Sequence, residues 1–182
     1  KTESADEGER LTVSRLIAGE ESLQAWAGAR GIDWVILRLT MVYDMKNDQN
    51  IAELIRIVRR FGFFPLVGRA RGLRRPVHAG DVADACLSVL EKSDRISRTY
   101  ILSGGETLSY RDMICRIFKA LDRPVRLVPI PVGLFRVLVL MIRRFPRYRN
   151  WNMSMAERMN RDMDFDNADA VRDLNFLPRG FL

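Results

Sequence analysis

The apolar positions change their period along the chain, and each change predicts an element. From about Glu9 to Arg30, Val13, Leu16, Leu23, Trp26 and Ala27 recur at helical spacing, and Gly31 stands where a left-handed cap would end the helix. Glu20 and Gly19 fall near this apolar face, where close packing against another backbone is expected. Trp34 to Leu37 is a continuous apolar run without polar alternation, the pattern of a strand covered on both faces. Arg38, Thr40 and Tyr43 emerge at its carboxyl end, the end that faces a ligand crevice in open α/β sheets.

After a polar surface loop from Asp44 to Gln49, Asn50 precedes Ile51, Leu54, Ile55 and Val58, a second helix with Arg56, Arg59 and Arg60 on its other side. Phe61 to Gly68 carries the Gly and Pro punctuation of short extended pieces, and its phenylalanines are expected in the core. A third helix, about Asp81 to Glu91, has Asp81 as its expected cap and Val82, Ala85, Cys86, Val89 and Leu90 on one side. Tyr100 to Leu102 predicts a short strand, and Ser109 caps a helix carrying Met113, Ile114, Ile117, Phe118 and Leu121. Val125 to Ile130 reads as extended and Pro131 to Ile142 as a helix, with Arg143, Arg144, Arg147 and Arg149 just beyond. Two short helices follow, around Met153 to Asn160 and from Asn167 to Leu174, the second capped by Asp166 and ended by a left-handed Asn175. Strands alternating with helices predict an α/β fold.

Composition narrows the class. In 182 residues, 47% are apolar and 29% charged, a globular balance. No apolar run reaches the roughly 20 residues of a membrane span, and the opening residues lack a secretory signal, so the cytoplasm is the expected compartment. Cys86 and Cys115 sit inside helical patterns and read as small buried hydrophobes, with no metal site expected. The net charge of +7 rests almost wholly on arginine, whose planar fork suits phosphate and carboxylate. Arginines beside the apolar helix permit peripheral membrane contact through 131–149, at the inner face of the membrane. The chain starts at Lys1 on a polar segment and looks like a piece of something longer.

Four segments together resemble a known family. They are Ile36 to Asp44 (ILRLTMVYD), Arg74 to Ala83 (RRPVHAGDVA), Tyr100 to Gly105 (YILSGG), and Phe165 to Ala170 followed by Leu174 to Pro178 (LNFLP). In order and spacing they resemble the carboxyl-terminal part of the extended short-chain dehydrogenase/reductases, in the NAD-dependent epimerase/dehydratase group acting on nucleotide sugars. The resemblance implies the carboxyl-terminal part of a Rossmann-like doubly wound parallel sheet plus a small α/β substrate-binding region. On that reading 1–48 and 76–103 complete the Rossmann part, the remainder binds substrate, and the amino-terminal glycine-rich half is missing.

It also implies NAD or NADP beside Leu39, Thr40, Met41 and Val42, with Tyr43, Asn50 and Arg74 toward a nucleotide sugar or related diphosphate. Arg74 would hold the diphosphate, and Asn50 opens a helix whose backbone donors favour phosphate. His78, the only histidine, is structural in that family position. The family's catalytic Tyr-x-x-x-Lys should fall at the start of the first helix, where this chain reads Leu11, Thr12, Val13, Ser14 and Arg15. Thr12, Ser14 and Arg15 are weak substitutes, and Leu11 cannot transfer a proton.

Two further readings stand beside the enzyme. One is a non-catalytic NAD(P)-binding structural or assembly protein, resembling the accessory subunit relatives of respiratory complex I. The other, ranked last, is nucleic-acid binding through the arginines between Arg56 and Arg75, which needs stacking aromatics near the charge. Without the first half of the sheet, the strand Trp34 to Leu37 would keep one unpaired edge, and self-association or a homodimer is expected.

Overall fold

Parallel pairing dominates the computed structural model, which describes residues 7–44, 48, 50–92, 97–142 and 154–182. Helix α1 (Glu7–Gly28) leads into strand β1 (Trp34–Leu39) and the two-residue β2 (Val42–Tyr43). Helix α2 (Ile51–Phe61), β3 (Phe64–Val67), β4 (Leu73–Arg74) and β5 (Val77–His78) follow, then α3 (Ala79–Glu91) and β6 (Ser97–Leu102). The chain continues through β7 (Leu108–Ser109), α4 (Tyr110–Ala120), β8 (Leu127–Ile130), α5 (Val132–Ile142), α6 (Ser154–Asn160) and α7 (Ala168–Leu174). β1 pairs with β6, β2 with β5 and β3 with β8, all parallel, while β4 and β7 pair antiparallel. This is the α/β class expected from the alternation. The arginines at 143–149 and the start of the predicted helix at Met153 lie outside the described residues.

Two apolar clusters hold these elements. Ile51, Ile55 and Val58 of α2 meet Met113, Ile114, Ile117 and Phe118 of α4 over Phe64, Leu66 and Val67 of β3, and Phe135 and Val139 of α5 join them. The i, i+3, i+4 spacing of both helices puts these side chains on one face, and each fully buried one contributes about 1.5–3 kcal/mol. The second cluster gathers Val77, Ala85, Tyr100, Leu102, Ala170, Leu174 and Phe176, so α7 packs beside β6 and α3.

Local signals set several boundaries. Gly31 and Gly62 take the left-handed conformation after α1 and α2, and Asn175 does so after α7. The Ser109 hydroxyl accepts the Asp112 N–H at 3.1 Å and caps α4. The Asp166 carboxylate accepts the N–H of Ala168 at 3.1 Å at the head of α7.

Other expectations are corrected. The inward stripe of α1 is Val13, Ile17, Glu20, Gln24 and Ala27, whereas Leu16, Leu23 and Trp26 are 62%, 43% and 50% exposed. Glu20 turns inward because Arg38 grips its carboxylate through both Nε and a terminal nitrogen, and that ion pair sets the helix rotation against β1. Gly19 has open space around it and answers no close approach. β1 is half-buried rather than covered on both faces, and among the described residues it pairs only with β6.

Asp81 does not cap α3. His78 does, its Nδ1 accepting the Gly80 N–H at 3.0 Å, while Asp81 is buried in the first turn against Arg179. Cys86 is exposed on the α3 face that also carries the exposed Leu90, and Cys115 of α4 is half-buried. Phe61 and Phe63 are 56% and 41% exposed and tilt together with ring centres 6.1 Å apart; only Phe64 enters the core.

Candidate functional site

The carboxyl end of β1 is a crossing point held mainly by backbone. Thr40 donates its N–H to the Leu102 carbonyl at 3.1 Å and its hydroxyl to the Arg75 carbonyl at 2.8 Å. Val77 donates to the Met41 carbonyl at 2.9 Å, and the parallel register sets Val42 beside Val77 and Tyr43 beside His78. Segments about 35 residues apart in sequence thus meet at one strand end. The approach requires glycine: a Cβ on Gly104 would lie 1.9 Å from the Pro76 carbonyl oxygen. Arg75 ties the crossing to the chain's later part. Its Nε donates to the Gly104 carbonyl at 3.1 Å and its terminal nitrogen to Asn167 Oδ1 at 3.3 Å, while Asn167 Nδ2 returns to the Ser103 carbonyl at 3.0 Å.

Of the residues expected at a cofactor, Leu39 is 47% exposed at the end of β1, and Thr40, Met41 and Val42 are half-buried beside it. These four form a mostly apolar ledge whose one hydroxyl is already engaged with carbonyls.

Tyr43 is buried under the last residues of the chain. Its ring meets His78 and Phe181 edge-on at 5.2 and 5.0 Å, and its hydroxyl reaches the Gly180 carbonyl at 3.4 Å. Burial pushes the Tyr43 phenol above its ordinary pKa. The covering segment is anchored by Arg179, whose Nε donates to Asp81 Oδ1 at 2.6 Å and whose N–H donates to Oδ2 at 3.0 Å. It is also held by Arg116, which bridges Glu106 and the Phe181 carbonyl.

Arg74 is 2% exposed, with its guanidinium spent on backbone. It donates to the Leu73 and Arg161 carbonyls at 2.6 Å each and to the Arg158 carbonyl, capping the end of α6, and its charge lies over the Tyr110 ring at 5.8 Å. Burial lowers the Arg74 pKa and pushes the Tyr110 phenol up to about 12. Asn50 lies at the head of α2 and is exposed, with no side-chain bond to the helix. The helix donors expected to be open are occupied by Asp48, whose Oδ1 accepts from the N–H groups of Asn50 at 2.8 Å, Ile51 and Ala52 at 3.2 Å.

The candidates at the start of α1 stand apart from this crossing. Thr12 and Ser14 return their hydroxyls to the Gly8 and Arg10 carbonyls of their own helix, at 2.9 Å each, and Leu11, Thr12, Ser14 and Arg15 are all exposed. Periodicity did not single out Asp48, Arg75 or the Asp81–Arg179 pair. Asp48 had a local signal, an acid three residues before a helical run; the other two depend on partners more than 90 residues away.

Residues 15–103 match the NAD dependent epimerase/dehydratase family, a span that includes β1, β5 and most of the crossing. A UDP-glucose 4-epimerase of Vibrio cholerae is 25% identical over 118 residues, 65% of this chain and 36% of that protein. Among solved structures, the UDP-glucuronic acid 4-epimerase of Bacillus cereus, in complex with UDP-glucuronic acid and NAD, superposes with a TM-score of 0.63 at 17% identity, over 89% of this chain and 45% of that one. The dTDP-glucose 4,6-dehydratase of Streptomyces venezuelae, with NAD bound, gives 0.59 at 19% identity over 88% and 44%. The chain spans less than half the length of each of these relatives.

Proposed function

We propose, from the premise that the chain is a member of the extended short-chain dehydrogenase/reductases, that it forms the substrate-side part of an NAD(P)-dependent epimerase/dehydratase-like protein handling a nucleotide sugar or related diphosphate. The observation that carries this reading is the meeting of Ile36–Asp44 with Arg74–Ala83, where Thr40 bonds Arg75 and Tyr43 pairs with His78. On this reading 1–48 and 76–103 belong to the dinucleotide part, and the region around α2, α4 and α6 to the substrate part.

The ledge of Leu39, Thr40, Met41 and Val42 fits the flat, weakly polar ring of a nicotinamide, with Leu39 supplying exposed apolar surface. NAD, when bound, supplies a hydride acceptor. Asn50, exposed and free of any cap bond, is the open polar side chain for substrate. Arg74 acts as a positioning residue: it fixes the end of α6 against β4, and reaches a diphosphate only by giving up its carbonyls. Tyr43 does the same for the covering segment at Gly180.

The non-catalytic reading has its own observation. Leu11 occupies the expected tyrosine position, and the neighbouring Thr12 and Ser14 hydroxyls are bonded within α1. Incubating the native protein with NAD and UDP-sugars, and following isotope exchange at the sugar carbons, separates the two. Exchange supports the enzyme; NAD binding without exchange supports the structural protein.

A further inference from the structure

We propose that the concavity rimmed by Arg69, Arg71 and Arg111 binds a phosphate-bearing ligand, at a place none of the crossing residues lines. Its volume is about 280 Å³, and Leu66, Leu127 and Pro129 form its floor between the paired strands β3 and β8. No carboxylate lines it. Several other arginines are engaged: Arg38 with Glu20, Arg98 with Asp169 and Asp173, Arg116 with Glu106, Arg179 with Asp81. Among the described residues the guanidinium groups of Arg69, Arg71 and Arg111 have no such partner.

The backbone holds these three charges together. Gly68 donates its N–H to the Ile130 carbonyl at 3.0 Å, and Ala70 donates to Asn160 Oδ1 at 2.9 Å. Arg111 donates its own N–H to the Ala70 carbonyl at 3.0 Å, joining the head of α4 to the loop. Ala70 is fully buried with φ of 48°, an uncommon left-handed alanine, and it stands between the two exposed arginines of the loop. A pinned loop presents its guanidinium groups with little further backbone ordering on binding, and three forks with no competing acid match a phosphate or diphosphate dianion. The apolar floor accommodates the group that carries the phosphate.

That phosphate can belong to a soluble ester or to a lipid headgroup, since β8 runs directly into α5, which exposes Leu134, Val137 and Met141. The test is calorimetric titration of the native protein with inorganic pyrophosphate, beside co-sedimentation with phosphatidylglycerol vesicles. Pyrophosphate is expected to bind saturably, and the double variant Arg69→Glu, Arg111→Glu to weaken it by about tenfold or more. The control Arg59→Glu, Arg123→Glu reverses two other exposed arginines and should leave binding within about twofold. Vesicle binding that the same rim variant abolishes and pyrophosphate displaces identifies a lipid headgroup; pyrophosphate binding without vesicle binding identifies a soluble ester. Equal losses in the rim and control variants, or no saturable binding of either probe by protein with unchanged circular dichroism, overturns the proposal. NAD binding is measured in the same variants and is expected unchanged, so this test does not depend on the proposed function.

Discussion

Arg74 shows how far a motif residue can be read from its type alone. The motif marks it as a guanidinium for a diphosphate, yet the fold buries it on the Leu73, Arg158 and Arg161 carbonyls. Replacing it with Ala leaves a void and three carbonyls without their charged donor, and is expected to lower stability by about 3 kcal/mol in urea unfolding. Unfolding within about 0.5 kcal/mol of the wild type would mean the carbonyls find other donors. Tyr110, beneath that guanidinium, gives a pH signature. Its folded pKa of about 12 lies above the ordinary value of 10.0, so the stability tied to its protonated form is complete below pH 10 and lost as pH rises toward 12. The loss is roughly 3 kcal/mol across that window, and Tyr110→Phe should flatten the alkaline limb of the stability curve. An unchanged alkaline limb in the variant would assign the loss to other groups.

At the scale of elements, sequence and structure agree at several local determinants. Ser109, Gly31, Gly62 and Asn175 end or begin helices through their own side chains or conformations, and the α4 stripe of Met113, Ile114, Ile117 and Phe118 is buried as its spacing requires. α1 differs because its rotation is set by the ion pair of Glu20 with Arg38, eighteen residues away, and periodicity contains no term for that partner. α2 differs in its cap: Asp48, not Asn50, accepts the first N–H groups. Asp48→Ala is therefore expected to destabilise the protein by about 1 kcal/mol, read as a lower unfolding midpoint, while Asn50→Ala changes it little. The reverse order would return the cap to Asn50.

For the whole molecule, the α/β class was legible because apolar runs alternate with helical periods along the chain, from the run of β1 to the stripe of α4. The candidate site was legible only as positions. The covering of Tyr43 by Gly180 and Phe181, and the spending of Arg74 on α6, arise from residues 84 to 138 positions away, beyond any local pattern. Several arginines are paired with acids, while no carboxylate lines the β3–β8 cavity. Among the described residues no helix is long and apolar enough to cross a membrane.

The most direct test is calorimetric titration of UDP into the native, NAD-saturated protein. The account predicts saturable one-to-one binding, weakened by about tenfold in Asn50→Asp, which sets a negative charge beside the ligand's phosphates. Heats of dilution only, for both NAD and UDP, from protein shown to be folded by circular dichroism, would contradict it.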